Sequence, residues 1–223
     1  MSDPVPVLTL DGPSGSGKGT VGQICAQKVG WHYLDSGAIY RALAYLVHKQ
    51  GLARDEVAAI VHCARGLKLE CVPAPPEPAV IHLNGERVDD LLRTEEVGRL
   101  ASELAAIPSV REALLRAQRH MRQPPGLVAD GRDMGTVVFR DARWKFFLTA
   151  SAEVRAERRY KQLKVKGFDV SLAALFEAIQ ERDARDAQRS VSPLKPADDA
   201  IVLDTSKMSI DEVVSRVLDH VTT

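Results

Sequence analysis

Residues 11–20 read DGPSGSGKGT, set between the apolar run PVPVLTL and the helical stretch VGQICAQKVG. Gly12-x4-Gly17-Lys18 has Walker A spacing. In such a loop the glycines let backbone N–H groups converge on phosphate oxygens. The following helix adds its positive end, and the lysine reaches the terminal phosphates. The strict pattern has Ser or Thr directly after the lysine to meet magnesium. Here Gly19 intervenes and the hydroxyl is that of Thr20. A strand–loop–helix context is what separates this motif from an ordinary glycine-rich turn, and both flanks are present. The chain therefore has to place a strand end and a helix start side by side, and it is expected to bind a nucleotide.

The rest of the chain alternates to match. VPVLTL (5–10) reads as a strand, Gly17 to Gly30 as a helix and Ser36 to Gln50 as a second helix. Between about 67 and 90 the character changes: LKLECV and AVIHL flank PAPPEP, and Asn84-Gly85 after AVIHL predicts a type I′ hairpin turn. Two helical stretches follow, EEVGRLASELAAI and SVREALLRAQRHM, separated by Pro108. Alternation resumes with PGLVADGRD, the buried strand WKFFLTA (144–150), the helices SAEVRAERRYKQL and SLAALFEAIQERDARDAQR, and the strand AIVLD (200–204). SIDEVVSRVLDHV closes the chain, with Ser209 and Glu212 spaced as a capping box. The pattern predicts an α/β fold: a parallel sheet flanked by helices, with a small antiparallel β insert. In such sheets ligands sit at the carboxyl ends of the strands, where the glycine loop falls. A chain of 223 residues suits one domain with an inserted subdomain.

Composition narrows the class. Thirty basic residues balance thirty acidic ones, which argues against a general nucleic-acid or anionic-membrane binder. No run approaches the roughly 18 apolar residues of a membrane span, and the N-terminus lacks the features of a signal peptide. Cys25, Cys63 and Cys71 are odd in number and have no CxxC spacing, so buried reduced thiols are expected. Together these features lead us to expect a soluble cytoplasmic protein.

Three classes of function remain. A regulatory GTPase needs an Asn-Lys-x-Asp element, but the sole asparagine, Asn84, is followed by Gly-Glu-Arg. Arginine is the more telling feature: Arg41, Arg111, Arg132, Arg155, Arg158, Arg159, Arg182, Arg185 and Arg189 are spread over several elements. Guanidinium forks pair with phosphate, and phosphoryl transfer depends on alignment and charge neutralisation. Helix-borne arginines also commonly serve as solvated faces or i,i+4 partners. Arg182, Asp186 and Arg189 share one helix side, either with Asp186 orienting Arg182 or as a surface ladder. A kinase with a hydroxyl acceptor needs a carboxylate base, for which Asp35, Asp130 and Asp133 are candidates. An acceptor that is already a phosphate needs cations instead, and the arginine content favours it. A nucleotide-binding protein without transfer activity is the remaining alternative.

Five segments, DGPSGSGKGT (11–20), LDSGAIYRALA (34–44), VREALLRAQR (110–119), ADGRDMGTVVF (129–139) and ERDARDAQRSVSPL (181–194), closely resemble bacterial cytidylate kinases, in register over nearly the whole chain. Gly-Lys-Gly-Thr is the usual loop form among nucleoside monophosphate kinases. The resemblance implies transfer of the ATP γ-phosphoryl group to CMP or dCMP, with magnesium; nothing in the sequence looks like an obligate interface, so a monomer is expected. The resemblance also implies a P-loop kinase core, a monophosphate-binding insert over about 67–107 and a short helical lid over about 155–185. Gly12, Pro13, Ser14, Gly15, Ser16, Gly17, Lys18, Gly19 and Thr20 would cradle ATP, with Lys18 on the transferred phosphate and Thr20 near magnesium. Arg41, Arg132 and Arg189 match residues that gather the CMP phosphate. Ser102, Arg111 and Asp133 match those that read the cytosine edge, and Arg182 and Asp186 those at the sugar hydroxyls, with Ser36 and Tyr40 nearby. Arg158 falls where the lid arginines lie. Asp130 would either hold water on magnesium or cap its turn. Arg140 and Ser192 depart from the usual proline and alanine, away from any expected substrate contact.

Overall fold

The computed structural model describes residues 5–165, 167–189 and 191–221. Strand β1 (Val7–Asp11) is buried along its whole length and pairs in parallel with β6 (Leu127–Gly131) and β7 (Trp144–Thr149). β2 (His32–Asp35) flanks β6, and β8 (Ile201–Asp204) flanks β7, giving the parallel order β2-β6-β1-β7-β8. VLTLD and LVADG are near-continuous apolar runs because helices cover both faces of a parallel sheet. In register, Asp11 lies opposite Gly131 and Phe147, and Asp35 opposite Asp130. The carboxyl end of the sheet therefore collects the acidic strand ends and the loop that follows β1.

Eight α-helices surround this sheet among the described residues. α1 (Lys18–Val29) is bounded by Gly17 and Gly30, both left-handed, the second serving as a C-cap glycine. α2 (Ser36–Lys49) starts on Asp35, whose carboxylate accepts from Ala38 N at 2.9 Å. α3 (Val57–Arg65) packs against α5 (Pro108–His120). α4 (Glu95–Leu104) packs against α2, and a 3-10 turn (Leu91–Arg93) leads into it. Pro108 is the first residue of α5 rather than a spacer, since proline at a helix start forfeits no intrahelical bond. α6 (Ala152–Val165) and α7 (Leu172–Ala187) pack on each other as a helical hairpin. α8 (Ile210–Val221) starts with the capping box: Ser209 N donates to Glu212 Oε2 at 2.8 Å and Glu212 N to Ser209 Oγ at 3.3 Å. No helix among the described residues is long and apolar enough to cross a membrane.

The antiparallel sheet is β3 (Leu69–Ala74), β4 (Glu77–Leu83) and β5 (Glu86–Arg87). Asn84 and Gly85 both have positive φ, 52° and 88°, as a type I′ turn requires. The PAPPEP segment is a tight turn, with strand structure running into it from both sides.

β2, α3 and a π-helical turn (Met134–Val138) lie beyond the sequence expectations. β2 has only four residues, too few to display a period. α3 is short and rich in β-branched residues, and only Ile60 and Ala64 are fully buried. The π turn depends on a tertiary contact with Asp11.

Candidate active site

The phosphate loop follows β1 directly. Gly12 has φ +148°, and a Cβ there would lie 2.0 Å from Leu148 O of β7, so only glycine lets the loop leave β1 this close to its neighbour. Lys18 opens α1 and is buried; its Nζ donates to Pro13 O at 3.0 Å and lies 3.9 Å from Asp130 Oδ1. Burial, reinforced by Arg132, pushes the Lys18 ammonium down to about 8 despite Asp130. Burial raises the Asp130 carboxyl to about 6, and Lys18 opposes that rise. Tyr33 from β2 donates its hydroxyl to Asp130 Oδ2 at 3.1 Å. A Cβ on residue 19 would meet that same Oδ2 at 3.1 Å. This close approach explains why glycine follows the lysine and the hydroxyl moves on to Thr20.

Opposite the loop, one cavity of about 340 Å³ gathers side chains from far apart in the sequence. Ser14, Gly15, Gly17, Lys18, Gly19 and Thr20 line its loop side, and Gly12, Pro13 and Ser16 support them without lining it. Ser36, Tyr40, Arg41, Ser102, Arg111, Arg132, Asp133, Arg182, Asp186 and Arg189 all line the same cavity. Arg158 does not. Its NH2 donates to Thr205 O at 2.6 Å and its NH1 to Gly15 O at 3.3 Å, on the outer side of the loop. Gln162, one turn further along the same helix face, is the α6 residue that reaches the cavity.

The cationic side chains are held in place by carboxylates. Arg41 NH2 donates to Asp35 Oδ2 at 3.0 Å, so the residue that caps α2 also orients the arginine one turn and a half later. Arg111 pairs with Asp133 and donates to Ala105 O at 3.1 Å; its guanidinium lies 5.7 Å from the Tyr40 ring centroid. Asp186, 1 % exposed, accepts from Arg132 Nε at 3.1 Å, and Arg189 NH2 lies 2.6 Å from its other oxygen. Asp186 thus binds Arg132 and Arg189 rather than orienting Arg182, because the turn after β6 brings Arg132 to it. Burial works against the Asp186 charge, but Arg132, Arg189 and Arg182 outweigh it and hold the carboxyl below its usual range. Arg182 is lowered to about 10, chiefly by burial and then by Arg132. Arg182 Nε and Arg41 Nε are buried donors without a hydrogen-bond partner. Ser36 Oγ accepts from Gln118 Nε2 at 3.2 Å.

Several contributors carry no sequence signal of their own. Asp11, 4 % exposed, accepts from Met134 N and Gly135 N, both at 2.8 Å, and so clamps the turn that presents Arg132 and Asp133. Burial raises its carboxyl to about 7. Tyr33 and Gln118 act from behind the cavity wall. Gly98, Ala101 and Ala105 of the α4 stretch share the cavity face with Ser102, and their i, i+3, i+4, i+7 spacing is a legible run of small residues.

Among the described residues, six cationic side chains line the cavity against four carboxylates, and each of the four already has a cationic partner. Such a site suits a polyanion. Thr20 and Asp130 both line the cavity beside Lys18, a donor set fit to hold magnesium through waters beside loop-bound phosphates. No group of three or more His, Cys, Asp or Glu among the described residues is placed to hold a metal alone. In this arrangement a magnesium ion would share its ligands with phosphate oxygens.

Residues 8–223 match the sequence profile of the family described as Cytidylate kinase. The Cytidylate kinase of Pseudomonas paraeruginosa is 55% identical over 221 residues, covering 99% of this chain and 96% of that protein. The Cytidylate kinase of Methylococcus capsulatus is 56% identical over 221 residues, covering 99% of each. Among solved structures, an uncharacterized protein from Eubacterium ventriosum superposes with a TM-score of 0.50 at 10% identity, covering 98% of both chains. That likeness concerns the fold alone.

Proposed function

Because the chain belongs to the cytidylate kinase family, we propose that it transfers the γ-phosphoryl group of ATP to CMP or dCMP, releasing ADP and the nucleoside diphosphate. The observation that carries this reading is the single cavity in which the phosphate loop faces Arg41, Arg132, Arg182 and Arg189. An acceptor phosphate is ionised already, so no general base is required. Lys18 neutralises the transferred group, and the arginines align the acceptor and take up the charge spread over equatorial oxygens. Magnesium, when bound beside Thr20 and Asp130, neutralises the donor phosphates. Arg111, Asp133 and Ser102 read the base: a carboxylate accepts from the exocyclic amine of cytosine, where uracil presents a carbonyl oxygen. The insert over about 67–107 and the lid over about 155–185, which lies within the α6–α7 hairpin, close over the substrates and exclude water. The enzyme works in the cytoplasm as a monomer.

Replacing Asp133 by alanine tests the base-reading assignment. The ratio of kcat/KM for CMP over UMP is expected to fall by about 10²-fold, as when a polar group that pairs with substrate is lost. Steady-state kinetics with both nucleotides measures it, and a preserved ratio would place base recognition elsewhere.

The titration of the loop gives a second expectation. Lys18, at about 8, loses its charge as pH rises, and Asp130, at about 6, loses its charge as pH falls. The productive pair is therefore Lys18 protonated with Asp130 ionised. In the free enzyme kcat/KM for ATP should be bell-shaped, falling below about pH 6 and above about pH 8. Asp130→Asn should abolish the acid limb, and an acid limb unchanged in that variant would assign it to another group.

A further inference from the structure

Three consecutive carbonyls of the phosphate loop accept from side chains outside the cavity. Arg155 NH1 donates to Ser14 O at 3.2 Å, Arg158 NH1 to Gly15 O at 3.3 Å, and Thr205 Oγ1 to Ser16 O at 2.9 Å. In a trans peptide the N–H points opposite to the C=O. Anchoring these oxygens outward turns the amides of Gly15, Ser16 and Gly17 the other way, toward the side on which Gly15 and Gly17 line the cavity.

Arg155 does more than its two neighbours. It is 4 % exposed, and its stem fills the space above Gly15, where a Cβ would lie 3.0 Å from Arg155 Cβ. Its Nε donates to Ala150 O at 2.9 Å, which fixes it to the end of β7. The rest of its guanidinium forks onto Asp183, NH1 to Oδ1 at 3.0 Å and NH2 to Oδ2 at 2.5 Å. Asp183 belongs to α7, the helix that carries Arg182 and Asp186 into the cavity. One buried guanidinium therefore touches the donor loop, the central sheet and the acceptor-facing helix. A planar bidentate pair transmits orientation as well as charge.

We propose that Arg155 is a positioning residue of the phosphate loop and that its pair with Asp183 couples donor seating to acceptor seating. Phosphate bound by the loop fixes Ser14 and Gly15; Arg155 is then fixed, and through Asp183 so is the part of α7 that presents Arg182 and Asp186. Acceptor binding acts in reverse along the same contacts, as reciprocity of coupled binding demands. This inference rests on the reading of the two sides of the cavity as donor and acceptor sites.

The test is the affinity for CMP, by calorimetry, with and without saturating magnesium and the β,γ-imido analogue of ATP. In the unmodified protein the analogue is expected to tighten CMP binding on the order of tenfold, within the range usual for coupled sites. In Asp183→Asn, CMP binding alone should change less than about twofold and the enhancement should fall below about twofold. Asp183→Glu keeps a carboxylate on α7 and should retain most of the enhancement. Arg155→Lys keeps the charge without the fork and should lose the enhancement while raising KM for ATP, which preserves the test if Asp183→Asn folds poorly. Enhancement surviving in both Asp183→Asn and Arg155→Lys, or absent from the unmodified protein, overturns the coupling. Failure of the unmodified protein to bind CMP or the analogue at all would instead overturn the kinase reading.

Discussion

Replacing Lys18 by methionine should lower kcat by about 10³-fold while leaving CMP affinity within a few-fold. Methionine keeps the length and packing of the buried stem, so α1 and the loop should stay folded. The ammonium is what is lost. It sits 3.0 Å from Pro13 O and 3.9 Å from Asp130, and Lys18 is the only lysine among the described residues that line the cavity. A fixed charge in a desolvated site is worth far more to a developing phosphoryl charge than in water, and deleting one such donor typically costs about 10²–10³ in rate. Single-turnover kinetics at saturating ATP, with CMP binding measured separately, isolates the effect. Near-normal turnover by Lys18→Met would remove Lys18 from the transferred group.

The second large effect concerns Asp186. Its carboxylate is buried between Arg132 and Arg189, with Arg182 close enough to act on its titration. Truncation to alanine leaves three guanidinium groups facing one another in a partly desolvated cavity. Breaking a buried pair costs about 3–5 kcal/mol when the partner charge stays behind. Here that cost appears as misdirected arginines: KM for CMP should rise about 100-fold, and the melting temperature should drop by several degrees. KM for ATP should move less, since the Asp186 carboxylate is bound by Arg132 and Arg189 rather than by a loop residue. Thermal melts and substrate titrations of Asp186→Ala measure both, and an unchanged KM for CMP would make the cluster a structural brace rather than an acceptor site.

The parts of this site that were legible in the sequence are those whose chemistry is local. Gly12, Gly17 and Lys18 announce a phosphate loop through spacing, and Asn84-Gly85 and the Ser209–Glu212 box announce their turn and cap, because each acts on its own backbone. The parallel sheet follows from alternation. The roles of long-range partners were not legible. Asp11 reads as the end of a strand, yet it holds a turn more than a hundred residues away. Tyr33 and Gln118 look like ordinary residues of their elements. Arg158 shows the same limit: its helix and its charge fit a lid arginine, but the connection after β8 captures it at Thr205. The Arg132 partner of Asp186 was not legible for a related reason, since helix spacing cannot reveal an arginine arriving after β6.

The most direct measurement is ADP release by the pure protein with magnesium-ATP, first alone and then with CMP, dCMP, UMP, AMP, GMP and shikimate in turn. Rapid release only with CMP and dCMP, and very little without an acceptor, is the expected result. Release that ignores the acceptor, or that responds best to shikimate or a purine monophosphate, would contradict the assignment of this cavity to cytidine monophosphates.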